Sequence, residues 1–128
     1  MEGKSERIYD LQKRTARFSE EIIKFSLNLS DDTVVRPLKS QLVRSGTSIG
    51  ANYCEATDAE STRDFIHKIG ICKKEANETK YWLHMIAIAV PSNAEKAREL
   101  WREVQELNLI FQKSITTAKK KLQATAHT

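Results

Sequence analysis

Four runs of residues place apolar or small side chains at alternating spacings of three and four, which is the pattern of one face of an α-helix. The members of the four runs are Ile8, Leu11, Thr15, Phe18, Ile22, Phe25 and Leu29; Val35, Leu38, Leu42, Ser45, Ile49, Asn52 and Ala56; Phe65, Ile69, Cys72, Ala76, Thr79, Leu83, Ile86 and Val90; and Ala97, Trp101, Val104, Asn108, Phe111, Ile115, Ala118 and Leu122. The period of two that a strand needs is nowhere sustained. The sequence therefore predicts four amphipathic helices.

Short polar segments separate the four runs, and the 128 residues include only four glycines and two prolines, too few for a many-stranded sheet. The predicted helices cover about residues 5–29, 34–57, 61–90 and 93–123. Ser61 is expected to cap the third helix, and Ser92 with Glu95 to form a capping box for the fourth. Because short connections make sequential helices antiparallel neighbours, we predict an all-α fold, an antiparallel up-down-up-down four-helix bundle in a single domain over residues 1–128.

Charge and cysteine usage indicate the environment of the protein. The first twenty residues are rich in charge, which argues against a secretory signal. The longest apolar stretch, residues 81–90, has ten residues and includes His84, so it reaches only about half of a membrane span. Cys54 and Cys72 show neither a zinc pattern nor a disulfide framework. We therefore predict a cytoplasmic protein with no membrane contact.

The segment Gly46-Thr47-Ser48-Ile49-Gly50 matches G-x-S-x-G, the pattern of a serine-hydrolase nucleophile elbow. An elbow needs a strand before the serine, whereas the residues before Gly46 have helical spacing. No later histidine completes a recognisable triad. The alternative is that small residues in the second helix allow a neighbouring helix to approach closely, which offsets the cost of about 1 kcal/mol for each helical glycine. In that case Ser48 bonds to a carbonyl of its own helix or across to a neighbour.

A second chemical signature is the single D-x-x-H of Asp64 and His67, whereas a di-iron bundle needs two E-x-x-H pairs and two further carboxylates. A capping acid and a surface histidine explain this pair more simply. We predict no catalytic residue, no metal site, no cofactor and no small-molecule substrate, and hence no enzyme.

Polar residues form stripes beside the predicted core. The set consists of Arg44, Ser48, Asn52 and Glu55 on the second helix, and Glu75 and Glu78 on the third. If the connection turns about residues 59 and 60, Arg44 lies level with Glu75 and one turn from Glu78. We therefore predict that Arg44 pairs with Glu75 or Glu78 in a partly buried setting, where it fixes helix register. The alternative is that these charges are all solvated.

The same antiparallel alignment makes two further predictions. Asn52 lies level with His67, and Glu55 lies level with Arg63 and Asp64.

The third helix carries a second, largely apolar stripe beside its main one. Its members are Ile71, Glu75, Glu78, Trp82, Met85 and Ala89. A helix that is apolar on nearly every side is buried on every side, so part of this surface is expected to meet another subunit. The alternative is that Trp82 and Met85 only broaden the internal core.

The segments LVRSGTSIGANYCEA and STRDFIHKIGICKKEANETKYWL resemble the four-helix-bundle family of 23S rRNA intervening-sequence proteins, which includes accessory proteins of diversity-generating retroelements. The resemblance is best over residues 34–83. The family pattern falls on Arg44, Ser48, Asn52 and Glu55, and then on Phe65 and Glu78. Some members have proline where Gly50 stands and alanine where Cys72 stands.

The resemblance implies a ring-forming protein, typically a homopentamer, without enzymatic activity. Some family members are encoded inside insertions in the 23S rRNA gene. The retroelement members look like partners of nucleic acid and of reverse transcriptase. RNA, DNA or a nucleic-acid enzyme is therefore the expected partner, beside further copies of the chain itself.

The charge layout is consistent with such a partner, since the chain has a net charge of +4 and its basic residues concentrate at one end of the predicted bundle. The candidate nucleic-acid-binding residues are Arg7, Lys13, Arg14, Arg17, Lys113, Lys119, Lys120 and Lys121. In a ring they would form a basic rim that contacts phosphates without reading sequence. Two alternatives remain: the lysines only complement the dipole of the last helix, or the protein is a protein–protein scaffold.

Overall fold

A computed structural model describes the backbone of residues 2–126 and the side chains of residues 10–126. The elements are α1 (Glu2–Leu27), α2 (Val35–Thr57), α3 (Thr62–Ala89), a 3-10 turn (Pro91–Asn93) and α4 (Ala94–Ala126). Each helix packs against the next along the chain, and α4 also contacts α1 more sparsely, which closes the four-helix bundle. The predicted all-α fold is confirmed. Among the described residues no helix has the length and apolar character needed to cross a membrane.

Among the described side chains, which do not include Ile8, the core mostly follows the predicted stripes on the first three helices, but Tyr53 is buried whereas the predicted Asn52 is only half-buried. On α4 the predicted stripe was partly wrong. Trp101 is 37% exposed and Asn108 is only half-buried, whereas Leu100 and Leu107 are buried. Both pairs fit helical spacing around Val104, so the spacing alone does not choose between them. Packing favours the two leucines because they bury no polar atom, while Trp101 lies at the edge with Lys80 Nζ 4.9 Å from its ring centroid.

The two glycines of α2 lie where α1 comes closest. A Cβ atom on Gly46 would stand 3.0 Å from two side-chain carbons of Ile22, and one on Gly50 would stand 3.4 Å from the backbone oxygen of Thr15. Both glycines are buried, and both have ordinary helical backbone conformations with negative φ. The predicted close approach of two helices is therefore present, and Gly46 is its tighter point.

The helix ends use short polar side chains. Asp32 Oδ1 accepts hydrogen bonds from the backbone N–H groups of Val34 (3.0 Å) and Val35 (2.8 Å), which the sequence analysis had missed. Ser61 Oγ accepts from the N–H of Asp64 at 3.0 Å, as predicted. The capping box expected at Ser92 is replaced by a 3-10 turn, in which the Ser92 hydroxyl donates to Asn93 Oδ1.

Candidate nucleic-acid interface

The polar stripes meet in an ion-pair triad between α2 and α3. Arg44 Nη1 lies 3.2 Å from Glu75 Oε2, and Arg44 Nη2 lies 2.6 Å from Glu78 Oε2. The hydrogen bond that Arg44 donates to Glu78 is the main reason why the pKa of Arg44 is raised, despite the opposing effect of desolvation. The predicted pair is present and includes both glutamates. The Glu75 side chain is only 8% exposed, and Arg44 is the cation that pairs with it.

The rest of the α2 stripe bonds to its own helix. Ser48 Oγ donates to the carbonyl of Arg44 at 2.5 Å, and Asn52 Nδ2 donates to the carbonyl of Ser48 at 2.8 Å. Nearer the core, Thr79 Oγ1 donates to Ser45 Oγ at 3.0 Å, so that a buried hydroxyl pair joins α2 to α3. The hydroxyl that a hydrolase would use as nucleophile is thus bonded to the backbone of a continuous helix.

The residues that the alignment sets level with Asn52 and Glu55 are not their bonding partners. Glu55 pairs with Lys68, with Glu55 Oε2 3.0 Å from Lys68 Nζ, rather than lying beside Arg63 and Asp64. Asn52 bonds to Ser48, and His67 is exposed.

The predicted basic residues divide into two groups. The first consists of Arg14, which forms ion pairs within the bundle. Arg14 donates to Glu103 Oε1 at 2.7 Å and to Glu106 Oε2 at 2.5 Å, which ties α1 to α4. These bonds, chiefly the one to Glu103, raise the pKa of Arg14. Because two carboxylates already neutralise its charge, Arg14 is a structural residue of the bundle.

The second group is exposed. Its members are Lys13, Arg17, Lys113, Lys119, Lys120 and Lys121. Lys113 and the three consecutive lysines form no ion pair with any residue between 10 and 126. The side chain of Arg7 lies outside the described residues. The predicted basic surface is therefore best represented by the C-terminal half of α4.

Acidic residues are distributed very unevenly along α4. Its first half contains Glu95, Glu99, Glu103 and Glu106, whereas residues 107–126 contain four lysines and no acid. The last buried residue of this helix is Ile115, and only Ala118 and Leu122 are half-buried between there and Ala126. The last three turns of α4 thus have no fully buried side chain and keep their charges in solvent, and we name residues 113–121 the basic segment.

A second surface feature lies at the other end of α4. Tyr81 (54% exposed), Ile88 (64%) and Trp101 are large apolar side chains on the outer side of α3 and α4. Ile88 and Trp101 line a shallow groove of about 390 Å³ that is also lined by His84 and Arg98. Tyr81, Ile88 and Trp101 form what we call the apolar patch.

The second stripe predicted on α3 is only partly open to solvent. Trp82 packs against the hydrophobic core, and both Trp82 and Met85 are half-buried within the monomer. Trp82 thus broadens the internal core, as one of the alternatives proposed. The exposed apolar surface of α3 is carried instead by Tyr81 and Ile88.

The part of the chain that the structure describes contains no group of histidine, cysteine and acidic side chains that could hold a metal ion. Cys72 is buried and Cys54 is exposed, and both are free thiols.

These features define a small antiparallel four-helix bundle with an internal ion-pair triad and a basic helix end. Over residues 8–124 the chain matches the family described as 23S rRNA-intervening sequence protein, and it belongs to that family. It is similar to a crystal structure of a protein of unknown function from the S23 ribosomal protein family of Bacteroides thetaiotaomicron, with 35% identity and a TM-score of 0.73. That likeness covers 82% of this chain and 97% of the other. No curated protein matches the chain.

Proposed function

We propose that this protein is a non-enzymatic, self-associating helical bundle of the cytoplasm that binds nucleic acid through the basic segment of α4. The observation that carries the proposal is the exposure of Lys113, Lys119, Lys120 and Lys121 in a half-helix without acidic residues. Lysines in this setting attract phosphates, and association releases the counterions that phosphates hold in solution.

Self-association multiplies the effect of a small basic segment. The apolar patch of Tyr81, Ile88 and Trp101 supports contact with a second copy, and a homopentameric ring is the assembly that the family resemblance suggests. In a ring each copy adds one basic segment to a common rim, so that several weak phosphate contacts act together.

A titration with labelled RNA and DNA at about 50 mM and 200 mM salt tests the proposal. We expect binding at the lower salt that weakens steeply at the higher one. Reversal of charge in the variant Lys119→Glu/Lys120→Glu/Lys121→Glu should abolish binding. Reversal at Lys74, an exposed lysine on α3, is the control and should leave binding nearly unchanged. Absence of binding to either nucleic acid at low salt would overturn the proposal.

A second candidate function is a scaffold that binds another protein. The apolar patch is the observation that favours it, because exposed aromatic and aliphatic side chains beside a groove are typical of protein–protein contacts. The resemblance to retroelement accessory proteins suggests a nucleic-acid enzyme as that partner. This function predicts that substitutions in the apolar patch impair the activity of the complex with that partner. It also predicts that the isolated protein does not bind nucleic acid.

A further inference from the structure

The outer side of α1 carries a short stripe with apolar members, where the solvent face of an amphipathic helix normally carries polar residues. Ala16, Glu20 and Ile23 follow one another at spacings of four and three, and all three are exposed. They lie within about 40° of the direction opposite the buried Phe18, so they point away from the core. The contacts of α1 with α2 and α4 use its other faces. We name Ala16, Glu20 and Ile23 the α1 stripe.

The surface of α2 beside this stripe consists of small residues. Gly50, Ala51 and Cys54 line a shallow depression of about 230 Å³ between α1 and α2, together with Ala16 and Ser19. Because these side chains are short, the α1 stripe protrudes from the surface next to it. A groove on another molecule can therefore receive the stripe without a clash with α2.

The groove between α3 and α4 matches the α1 stripe in length and in apolar character. Its α4 wall runs from Ala94 to Trp101, and its α3 wall includes Ile88. At 1.5 Å per residue, the seven steps from Ala94 to Trp101 span about 10.5 Å, which equals the length of the stripe from Ala16 to Ile23. An apolar groove between two helices is a site where the apolar face of a further helix packs.

Opposite charges lie at the middle of the two surfaces. Glu20 is the central member of the α1 stripe, and Arg98 lies midway along the α4 wall of the groove. Both side chains are exposed, and neither forms an ion pair with a residue that the structure describes. A stripe seated in the groove therefore brings an unpaired carboxylate to an unpaired guanidinium, and His84 on the α3 wall adds a ring N–H donor.

We infer that the α1 stripe of one copy docks in the α3–α4 groove of a second copy, with Glu20 paired to the partner subunit's Arg98. This inference rests on the self-association in the proposed function and names the two surfaces that meet. The contact is heterologous, because each copy offers a stripe at one surface and a groove at another. Heterologous contacts generate a ring when the rotation between copies closes. Leu27 lies one turn beyond the length of the groove and stays outside the contact.

A symmetric contact between two grooves is less favourable than the heterologous one. A two-fold axis through the groove would bring Arg98 close to the partner subunit's Arg98, and like charges across an interface are unfavourable. It would also leave the apolar members of the α1 stripe in water. The heterologous contact buries both apolar surfaces and gives both Glu20 and Arg98 a partner of opposite charge.

Sedimentation of two variants, alone and mixed, tests the contact. Ile23→Arg disables the stripe and Ile88→Arg disables the groove, and both side chains are exposed, so the fold should persist. Each variant alone should be a monomer. In an equimolar mixture the intact stripe of the Ile88→Arg protein meets the intact groove of the Ile23→Arg protein, and a one-to-one dimer should form. Leu27→Glu is the control and should assemble as the wild-type protein does.

Exchange of the two central charges tests their pairing. Glu20→Arg and Arg98→Glu each place like charges in the contact and should raise the dissociation constant about fivefold or more. The double variant restores an opposite pair and should regain most of the affinity. Lys74→Glu, at an exposed position of α3 outside both surfaces, is the control. A double variant that associates as weakly as the single ones overturns the pairing of Glu20 with Arg98.

The remaining outcomes separate the inference from the function on which it rests. If the wild-type protein assembles, an oligomer of Ile23→Arg or a mixture without a dimer overturns the contact between stripe and groove, and self-association then uses another surface. A monomeric wild-type protein overturns both this inference and the proposed self-association. Absence of nucleic-acid binding overturns the proposed function and leaves the contact unaffected.

Discussion

Arg44 Nη1 on α2 lies 3.2 Å from Glu75 Oε2 on α3, and this contact joins a half-exposed guanidinium to a buried carboxylate. Glu78 binds the other end of the guanidinium at 2.6 Å, in a more exposed position. Because only one of the two carboxylates is removed from water, the three charges are unequal in their effect on stability. Loss of the Arg44 cation leaves Glu75 buried without a partner, whereas loss of Glu78 leaves the partly solvated pair of Arg44 and Glu75.

We therefore predict that Arg44→Met lowers the free energy of unfolding by about 1–3 kcal/mol, because Glu75 would be left buried without its donor. Glu75→Gln in the same background should recover part of that loss. Chemical unfolding in urea measures both. The matched control is Lys68→Met, which removes the more exposed α2–α3 pair with Glu55 and should change stability by less than about 1 kcal/mol. Equal effects of Arg44→Met and Lys68→Met would contradict this prediction.

The two glycines of α2 should respond differently to the same substitution. At Gly46 a methyl group meets Ile22 at 3.0 Å, and overpacking of about 1–3 kcal/mol exceeds the gain of about 1 kcal/mol in helix propensity. At Gly50 the contacts are at 3.4 Å, an ordinary distance. Thermal unfolding should show Gly46→Ala to be destabilised and Gly50→Ala to be neutral or stabilised. A similar midpoint for both variants would argue against the tighter approach at Gly46.

Larger and smaller changes in the same segment extend this comparison. Gly50→Leu should disrupt folding or assembly, since a leucine is far larger than the methyl group that fits beside Thr15. Ser48→Ala should be mild because it removes one bond to the backbone of the same helix. Tolerance of Gly50→Leu would count against close packing at this position.

Stability should fall at alkaline pH because burial raises the pKa of the Cys72 thiol to about 12 from a usual value of 9.0. Burial likewise raises the pKa of Tyr53 to about 12. The unfolded chain releases these protons first, so the stabilising contribution is complete below about pH 9 and is lost as the pH rises toward 12.

Urea unfolding at a series of pH values from 8 upward measures this loss. Each group contributes a slope of up to about 1.4 kcal/mol for each pH unit within its window. Cys72→Ala removes one of the two groups and should give a shallower decline, with Cys54→Ala at an exposed position as the control. An unchanged slope in Cys72→Ala would show that its thiol does not contribute to the pH dependence.

The apolar patch should govern self-association. Tyr81→Glu/Ile88→Glu places two charges on the patch and should shift sedimentation toward the monomer, because burying an unpaired carboxylate is unfavourable. Leu27→Glu provides a control at a position on α1 that is 79% exposed. A wild-type monomer at micromolar concentration would refute the proposed ring, and an oligomer that survives the double substitution would place the contact elsewhere.

The helical period of the sequence was enough to predict the all-α fold and the main core residues, because the apolar side chains of each stripe are buried away from water. It was also enough to predict that Arg44 pairs with Glu75 or Glu78, since residues near a helix hairpin are confined to a few possible partners. The family resemblance rested on the same α2 and α3 residues, and the match over residues 8–124 confirms membership of the 23S rRNA-intervening sequence protein family.

Tertiary packing alone chose between arrangements that helical spacing leaves equivalent. The core contains Leu100 and Leu107, and not the predicted Trp101 and Asn108, because interior packing distinguishes an aliphatic side chain from one with a polar atom. The pairing of Glu55 with Lys68 depended on how side chains of α2 and α3 interlock, which the loop length does not fix. Likewise, the sequence shows that Arg14 is basic, but only the packing of α4 against α1 brings Glu103 and Glu106 into contact with it. This packing leaves the lysines of the basic segment as the exposed basic residues in the C-terminal half of α4.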